Sequence, residues 1–274
     1  MSYELKSAGA LWGEPCRYGE SRLLVRGPER DLSQPYIAVL GGTEVYGRYV
    51  DIPFTAGAEQ TLGVPCINLG SVNAGLDSFL RDETLLDIAR AARVSVLQML
   101  GAQNMSNPYY RVHPRRNDRF LQAQPALETL YPEVDFTEFH FNKHLLSTLR
   151  DISAGRFEQV REELQRSWVE RMSRLVEVLG GRVLLLWLRY DLGRTTEFPE
   201  EPVMVDRAMA DALRPKVRGL LECHAAPAGS AKDTAGMGFG QMELPAARHM
   251  IGPREHARIA GALSERLRGT LADA

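Results

Sequence analysis

The sequence predicts an α/β domain of three layers: a parallel sheet of about five strands between two layers of helices, behind an N-terminal extension. Three observations predict it. Five short apolar runs follow one another between residues 36 and 223, continuous rather than alternating, as strands buried on both faces read. Longer stretches with apolar residues at helical spacing separate several of them. Three successive runs end in glycine beside an amide or hydroxyl side chain, the residue types of tight turns and of loops that let a ligand approach the backbone.

Residues 1–35 read as an extension with one strand-like run, 21–26, closed by the turn signal Gly27-Pro28. The α/β domain spans 36–274. Its first strand, "YIAVL" (36–40), runs into Gly41, Gly42, Thr43 and Glu44. The second, "PCINL" (65–69), is followed by Gly70, Ser71, Asn73, Gly75 and Asp77. A helix is predicted over 77–92, with Phe79, Leu80, Leu85, Leu86 and Ile88 opposite its charges. The third strand, "VSVLQML" (94–100), leads into Gly101, Gln103, Asn104, Ser106 and Asn107.

The polar, aromatic stretch at about 103–140 has little periodicity and reads as an insertion, and insertions of that length inside a compact domain are usually functional. A long helix follows, with Phe157, Val160, Leu164, Trp168, Met172, Leu175 and Leu179 on one stripe and a stop at Gly180-Gly181. The fourth strand, "VLLLWL" (183–188), is followed by Arg189, Tyr190, Asp191 and Arg194, and the fifth, "VRGLLEC" (217–223), by His224. A last helix over 252–271 carries Ile259, Leu263 and Leu267. In an open parallel sheet ligands sit beyond the carboxyl ends of the strands, so these strand-end residues form the candidate site.

Composition narrows the partners. A formal net charge of −2 gives no electrostatic case for nucleic acid or an acidic membrane surface. No window approaches the ~18 apolar residues of a membrane helix. Three cysteines, odd in number and far apart, suit a reducing compartment, and Cys66 and Cys223 fall in strand runs, where thiols are core. The opening "MSYELKSAGALWGEP" lacks the apolar stretch of a signal peptide, so a cytoplasmic location is expected. "GMGFG" (236–240) follows no strand and opens no helix, and there is no P-loop, so no cofactor is expected. Assembly into a homo-oligomer stays open.

The insertion concentrates positive charge. "NPYYRVHPRRNDRF" (107–120) sets Arg111, His113, Arg115, Arg116 and Arg119 among Tyr109, Tyr110 and Phe120. Guanidinium forks bind carboxylate, phosphate or sulfate, and interleaved rings can stack a sugar. Two readings stand: recognition of an anionic, glycan-type small molecule, or a solvated loop whose arginines pair with Asp118, Glu133, Asp135 and Glu138. Further on, His140 and His144 would share one face of a helix at a zinc-clamping spacing, but Glu138 is misplaced for a metalloprotease motif. A helix start capped by Asp135 or Thr137 is the alternative, and no metal centre is expected.

The strand-end blocks resemble the SGNH or GDSL hydrolases. In that family the first strand ends in Gly-Asp-Ser with the serine as nucleophile. A glycine follows the second strand, a Gly-x-Asn-Asp block the third, and a histidine lies just before the last helix. Here "GGT" puts Thr43 in the serine's place, "NLGSVNAG" supplies Gly70 or Gly75, and "GAQN" puts Asn104 in the oxyanion place. "ELPAARHMIGPREHARIAGAL" supplies His249 or His256. The resemblance covers roughly 36–110 and 240–270 and implies a flavodoxin-like, SGNH-like sheet. It further implies a hydrolase or acyl-transfer enzyme with an altered nucleophile, acting on an ester of an anionic or glycan-type substrate. Gly75 and Asn104 would donate to the oxyanion, and Glu44 and Asn73 would line the substrate cleft beside Arg111, His113, Arg115 and Arg116.

The departures are specific. Thr43 replaces serine, Gly42 replaces the aspartate, and the Gly-x-Asn spacing is altered. Ala246 stands where the acid before His249 belongs, and Glu243 is the nearest carboxylate. "GGTEVYGRYV", "GAQNMSN" and "YPEVDFTEFHF" also resemble a bacterial domain family of unknown function, which implies the fold and no activity. Two alternatives to ester cleavage follow. One is a non-hydrolytic transferase of polysaccharide type, or an anion- or glycan-binding protein, using the same pocket and its arginine loop. The other is an assembly protein whose aromatic loop meets a partner. For Thr43 itself the alternative to a nucleophile is a helix cap through its hydroxyl.

Overall fold

The computed structural model describes residues 14–193 and 196–272. The start of the extension and Arg194 lie outside the described residues. The first described elements are a small antiparallel pair, β1 (Pro15–Cys16) and β2 (Val25–Arg26). Then come β3 (Ile37–Gly41), α1 (Thr43–Tyr46), α2 (Phe54–Leu62), β4 (Cys66–Gly70), α3 (Leu76–Leu80), α4 (Glu83–Ala91) and β5 (Val94–Gln98). The insertion holds a hairpin, β6 (Tyr110–Val112) and β7 (Phe120–Ala123), and α5 (Pro125–Leu130). After it run α6 (Asn142–Ile152), α7 (Ala154–Val178), β8 (Val183–Asp191), β9 (Glu200–Glu201), α8 (Arg207–Leu213), β10 (Gly219–His224), α9 (Leu244–Arg248) and α10 (Pro253–Ala272).

The central sheet runs β10-β8-β5-β3-β4 with all five strands parallel, and β9 adds an antiparallel edge to β8. Continuous apolar runs became strands buried on both faces because each strand alternates between two cores. Ile37 and Val39 of β3, Val94 and Val96 of β5, and Leu184, Leu186 and Leu188 of β8 pack with Phe54 and Ala58 of α2 and with Ile259, Leu263 and Leu267 of α10. Ala38 and Leu40, Leu97, Leu185 and Trp187 pack on the other face with α4, α6, α7 and α8, where Trp168 is fully buried. The stripe of α7 lies against that core as its spacing predicts, and both glycines after it take positive φ, +75° each, which ends the helix.

Three elements differ from the sequence reading. The helix expected over 77–92 is two helices, because Asp82 leaves the helical path and caps α4 by accepting from Leu85 N at 3.2 Å. The same carboxylate accepts from Ser21 Oγ and Arg22 N, both at 2.9 Å, and so ties the N-terminal segment to this break. The strand expected over 94–100 ends at Gln98, whose side chain turns into the polar edge described below. The strand-like run 21–26 pairs only at Val25–Arg26.

That N-terminal segment packs into the main core through Tyr18, Leu23 and Val25. Arg26, buried, reaches α1 and donates to the carbonyls of Tyr46, Gly47, Val50 and Asp51 at 2.9–3.2 Å. A guanidinium matched to four carbonyls holds the C-terminal end of α1 and the chain after it behind the sheet edge.

Candidate functional site

The glycines at the strand ends serve close packing of the chain on itself. A Cβ at Gly41 would lie 2.3 Å from Gln98 Oε1, and one at Gly70 would lie 2.3 Å from Tyr46 N. Both contacts come from α1 or its anchor crossing directly over β3 and β4. With no side chains in the way, α1 sits low on the carboxyl edge and presents Thr43 and Glu44 there.

Thr43 is the first residue of α1, and Gly42, not Thr43, occupies the cap position. The cap expectation is therefore corrected: its hydroxyl leaves the helix and accepts from Asn73 N at 3.2 Å, lying 3.5 Å from Asn73 Oδ1. Asn73 takes positive φ, +59°, a conformation asparagine tolerates better than most residues. Thr43 and Asn73 thus form one lip, joining the turns after β3 and β4.

Glu44 points into the edge of the sheet. Its Oε2 accepts from Gln98 Nε2 at 2.9 Å and its Oε1 from the Tyr190 phenol at 2.7 Å, while Gln98 Oε1 accepts from Gly42 N at 2.9 Å. The cluster spans the ends of β3, β5 and β8. It includes the gap between β3 and β5, where the strand order reverses and where open α/β sheets place their ligands. β9 brings Glu201 opposite Tyr190, and Lys143 of α6 pairs with it. Burial first, then the neighbouring Glu44, holds the Tyr190 phenol well above its ordinary range. Burial also raises the Glu201 carboxyl, against the pull of Lys143. Sequence reasoning singled out neither Lys143 nor Glu201, since nothing local distinguishes them. Gln98 falls inside the third apolar run, and Tyr190 is visible only as a residue at a strand end.

The turns after β4 and β5 and the insertion are joined by amides. Asn117, fully buried, accepts through Oδ1 from Gly75 N at 3.0 Å, Ser78 N at 3.2 Å and Ser78 Oγ at 3.0 Å, and donates to His113 O at 2.8 Å. The Gly75 N–H expected at an oxyanion is therefore already bonded. Asn104 lies beside it: a Cβ at Gly75 would meet Asn104 O at 2.1 Å, and Asn104 Oδ1 accepts from Asn142 Nδ2 at 3.0 Å. Asn117 N donates to Asn73 O at 3.0 Å, which attaches the arginine-bearing turn to the lip.

On that turn His113 Nδ1 accepts from Arg115 N at 3.3 Å and Arg116 N at 3.2 Å, so His113 shapes the turn. Arg111, Arg115 and Arg116 are exposed, and none of their guanidiniums makes an ion pair or hydrogen bond among the described residues. The pairing expected with the downstream acids does not form: Glu133 pairs with Arg156, and Asp135 caps the short turn after it by accepting from Thr137 N at 3.0 Å. Asp118 stays close enough to Arg116 and Arg119 to feel their charge.

The two candidate histidines lie elsewhere. His256 is 1% exposed, stacks on Phe54 with ring centroids 5.6 Å apart, and accepts from Phe54 N through Nδ1 at 3.0 Å. Burial, with Arg26 adding to it, lowers its pKa from 6.5 to about 4. The ring is a packed core base holding the start of α2, and makes no hydrogen bond to Thr43. His249 caps the C-terminal end of α9 in the open, and Glu243 bonds the Tyr49 phenol at 3.0 Å instead of serving it. His140 lies outside α6 while His144 lies within it against Phe139, so the two do not share a helix face. Cys66 and Cys223 are buried, with Cys66 pushed up to about 12 by that burial, and no disulfide forms. No helix among the described residues is long and apolar enough to cross a membrane.

The chain belongs to a family described as a domain of unknown function (DUF6473), whose model matches residues 1–271. No curated protein matches. Among solved structures, the chain is similar to the lipase Lip_vut3 from a goat rumen metagenome, at 15% identity and a TM-score of 0.38, covering 86% of this chain and 97% of that one.

Proposed function

We propose that the protein holds an anionic, glycan-type ligand against the carboxyl edge of its sheet. The lip of Thr43 and Asn73 supplies hydrogen bonds, and the insertion turn supplies positive charge. One observation carries this reading: the Asn117 N to Asn73 O bond of 3.0 Å seats a turn with unpaired Arg115 and Arg116 directly on that lip. Guanidiniums without a protein partner keep their forks free for carboxylate, phosphate or sulfate. The strand order, equivalent to 2-1-3-4-5 along the chain, supports the expected flavodoxin-like arrangement.

Calorimetric titration tests the proposal with a uronic-acid disaccharide and its neutral counterpart. The acidic sugar binds, the neutral one does not, and Arg115→Gln with Arg116→Gln weakens binding at least about tenfold. Equal binding of the two sugars, or an unchanged double variant, refutes it.

A second reading, hydrolase-like cleavage or acyl transfer with Thr43 as an altered nucleophile, rests on the place of its partly exposed hydroxyl. It sits at the strand-to-helix turn, next to a carboxylate held by two donors. In that reading Glu44, the next residue along the chain, would relay the proton, since His256 is committed to Phe54. With p-nitrophenyl acetate, wild type turns over above background, Thr43→Ser turns over faster and Thr43→Ala stops. Background rates in all three leave the binding reading alone.

A further inference from the structure

We propose that the cleft beyond the carboxyl ends of β8 and β10 is a separate site for a phosphorylated or sulfated small molecule. This cleft encloses about 740 Å³ and is lined by Asp191, Ser230, Lys232, Thr234, Arg248 and His249, among others. It goes beyond the arginine lip and depends on none of its residues.

The charges favour an oxyanion. Lys232 and Arg248 are exposed, and neither makes an ion pair or hydrogen bond through its side chain among the described residues. The one carboxylate on the wall, Asp191, turns back to accept from Gly193 N at 2.6 Å. Two unpaired cations therefore face one carboxylate that already accepts a hydrogen bond. His249 adds a ring nitrogen and Thr234 a hydroxyl, while the Ser230 hydroxyl donates to Pro227 O at 3.0 Å. The main-chain amides of Ser230, Lys232, Thr234 and Ala235 donate to no group among the described residues, so the loop offers free N–H donors as well.

The loop is held ready for a ligand. Ala228 N donates to Met250 O at 2.7 Å, Gly229 N to Arg248 O at 2.9 Å and Asp233 N to Ala228 O at 2.8 Å. Beneath it the buried Asp233 carboxylate accepts from Arg254 N and Arg254 Nε, both at 2.9 Å, which pins the loop to the start of α10. A pinned loop spends little ordering entropy on binding.

Inorganic phosphate is titrated into isotope-labelled protein while amide shifts are followed. The amides of Ser230, Lys232, Thr234 and Ala235 move together along one saturating curve. Lys232→Gln with Arg248→Gln raises the midpoint at least about tenfold. Arg115→Gln with Arg116→Gln leaves these shifts and their midpoint unchanged, which separates this site from the lip. Shifts that fail to saturate, that are absent from the loop, or that keep the wild-type midpoint in the Lys232 and Arg248 variant overturn the proposal. Far-ultraviolet dichroism of each variant confirms that it is folded.

Discussion

The Tyr190 phenol donates to Glu44 Oε1 at 2.7 Å across 146 residues of chain. The bond closes a polar row over the ends of β3, β5 and β8, with Gln98 between Gly42 and Glu44. Both side chains are mostly screened from water, so the carboxylate depends on these two donors for the solvation it gives up. Tyr190→Phe removes one of them. A loss of about 1–3 kcal/mol in urea unfolding is expected. A change below about 0.5 kcal/mol would show that water replaces the phenol without cost.

His256 makes stability depend on pH in a known direction. Its pKa falls from 6.5 to about 4 on folding, so the unfolded chain binds the proton more tightly. The stabilising contribution is full above the unfolded value and is lost as pH falls from 6.5 towards 4. A shift of that size corresponds to about 3 kcal/mol. Urea midpoints measured between pH 7 and 4.5 should fall in wild type and fall less steeply in His256→Gln. Parallel slopes in the two proteins would remove His256 from the account.

Asn117 joins the insertion to the turn after β4 by three side-chain bonds, from Gly75 N, Ser78 N and Ser78 Oγ, and braces its own turn by donating to His113 O. Asn117→Ala leaves the Gly75 amide without its acceptor, while Ser78 N keeps Gly75 O at 3.2 Å. The expected cost is about 1–3 kcal/mol. The arginine turn loosens with it, so affinity for the acidic disaccharide falls even though every arginine remains. Stability lost with affinity intact would detach the turn from the ligand.

Gly75→Ala distinguishes a packing role from a catalytic one. The new methyl would meet the Asn104 carbonyl at 2.1 Å, a backbone atom that cannot swing aside. A loss of about 2–3 kcal/mol is expected from the forced shift. A variant as stable as wild type, with any esterase turnover abolished, would restore Gly75 to an oxyanion role.

Much of the fold was legible along the chain. The runs at 36–40, 65–69 and 183–188 each became a parallel strand, within a few residues, because a strand buried on both faces must be apolar at every position. The stripe from Phe157 to Leu179 became α7 because one helix face meets one core. The helix over 77–92 was misread because Asp82, which looks like any surface acid, answers to Ser21 and Arg22 from another segment. Thr43, Asn73, Gly75 and Asn104 all read as strand-end residues; Thr43 bonds Asn73, and Gly75 lies against the Asn104 carbonyl. Only the SGNH family's histidine near the last helix points His256 to the carboxyl edge, and the structure seats it on Phe54.

The amino-acid sequence alone determined the five sheet strands and the two long helices α7 and α10, and that the turns after the first three strands are polar and glycine-rich. Apolar spacing is a local property, and burial on one or two faces writes it directly into the chain. The tertiary structure alone decided which polar groups meet: Glu44 with Tyr190, Glu201 with Lys143, Asn117 with Gly75. Those pairings follow from the lateral order of strands and the packing of an insertion, and a hydrogen bond between distant residues leaves no periodic trace in either partner's neighbourhood.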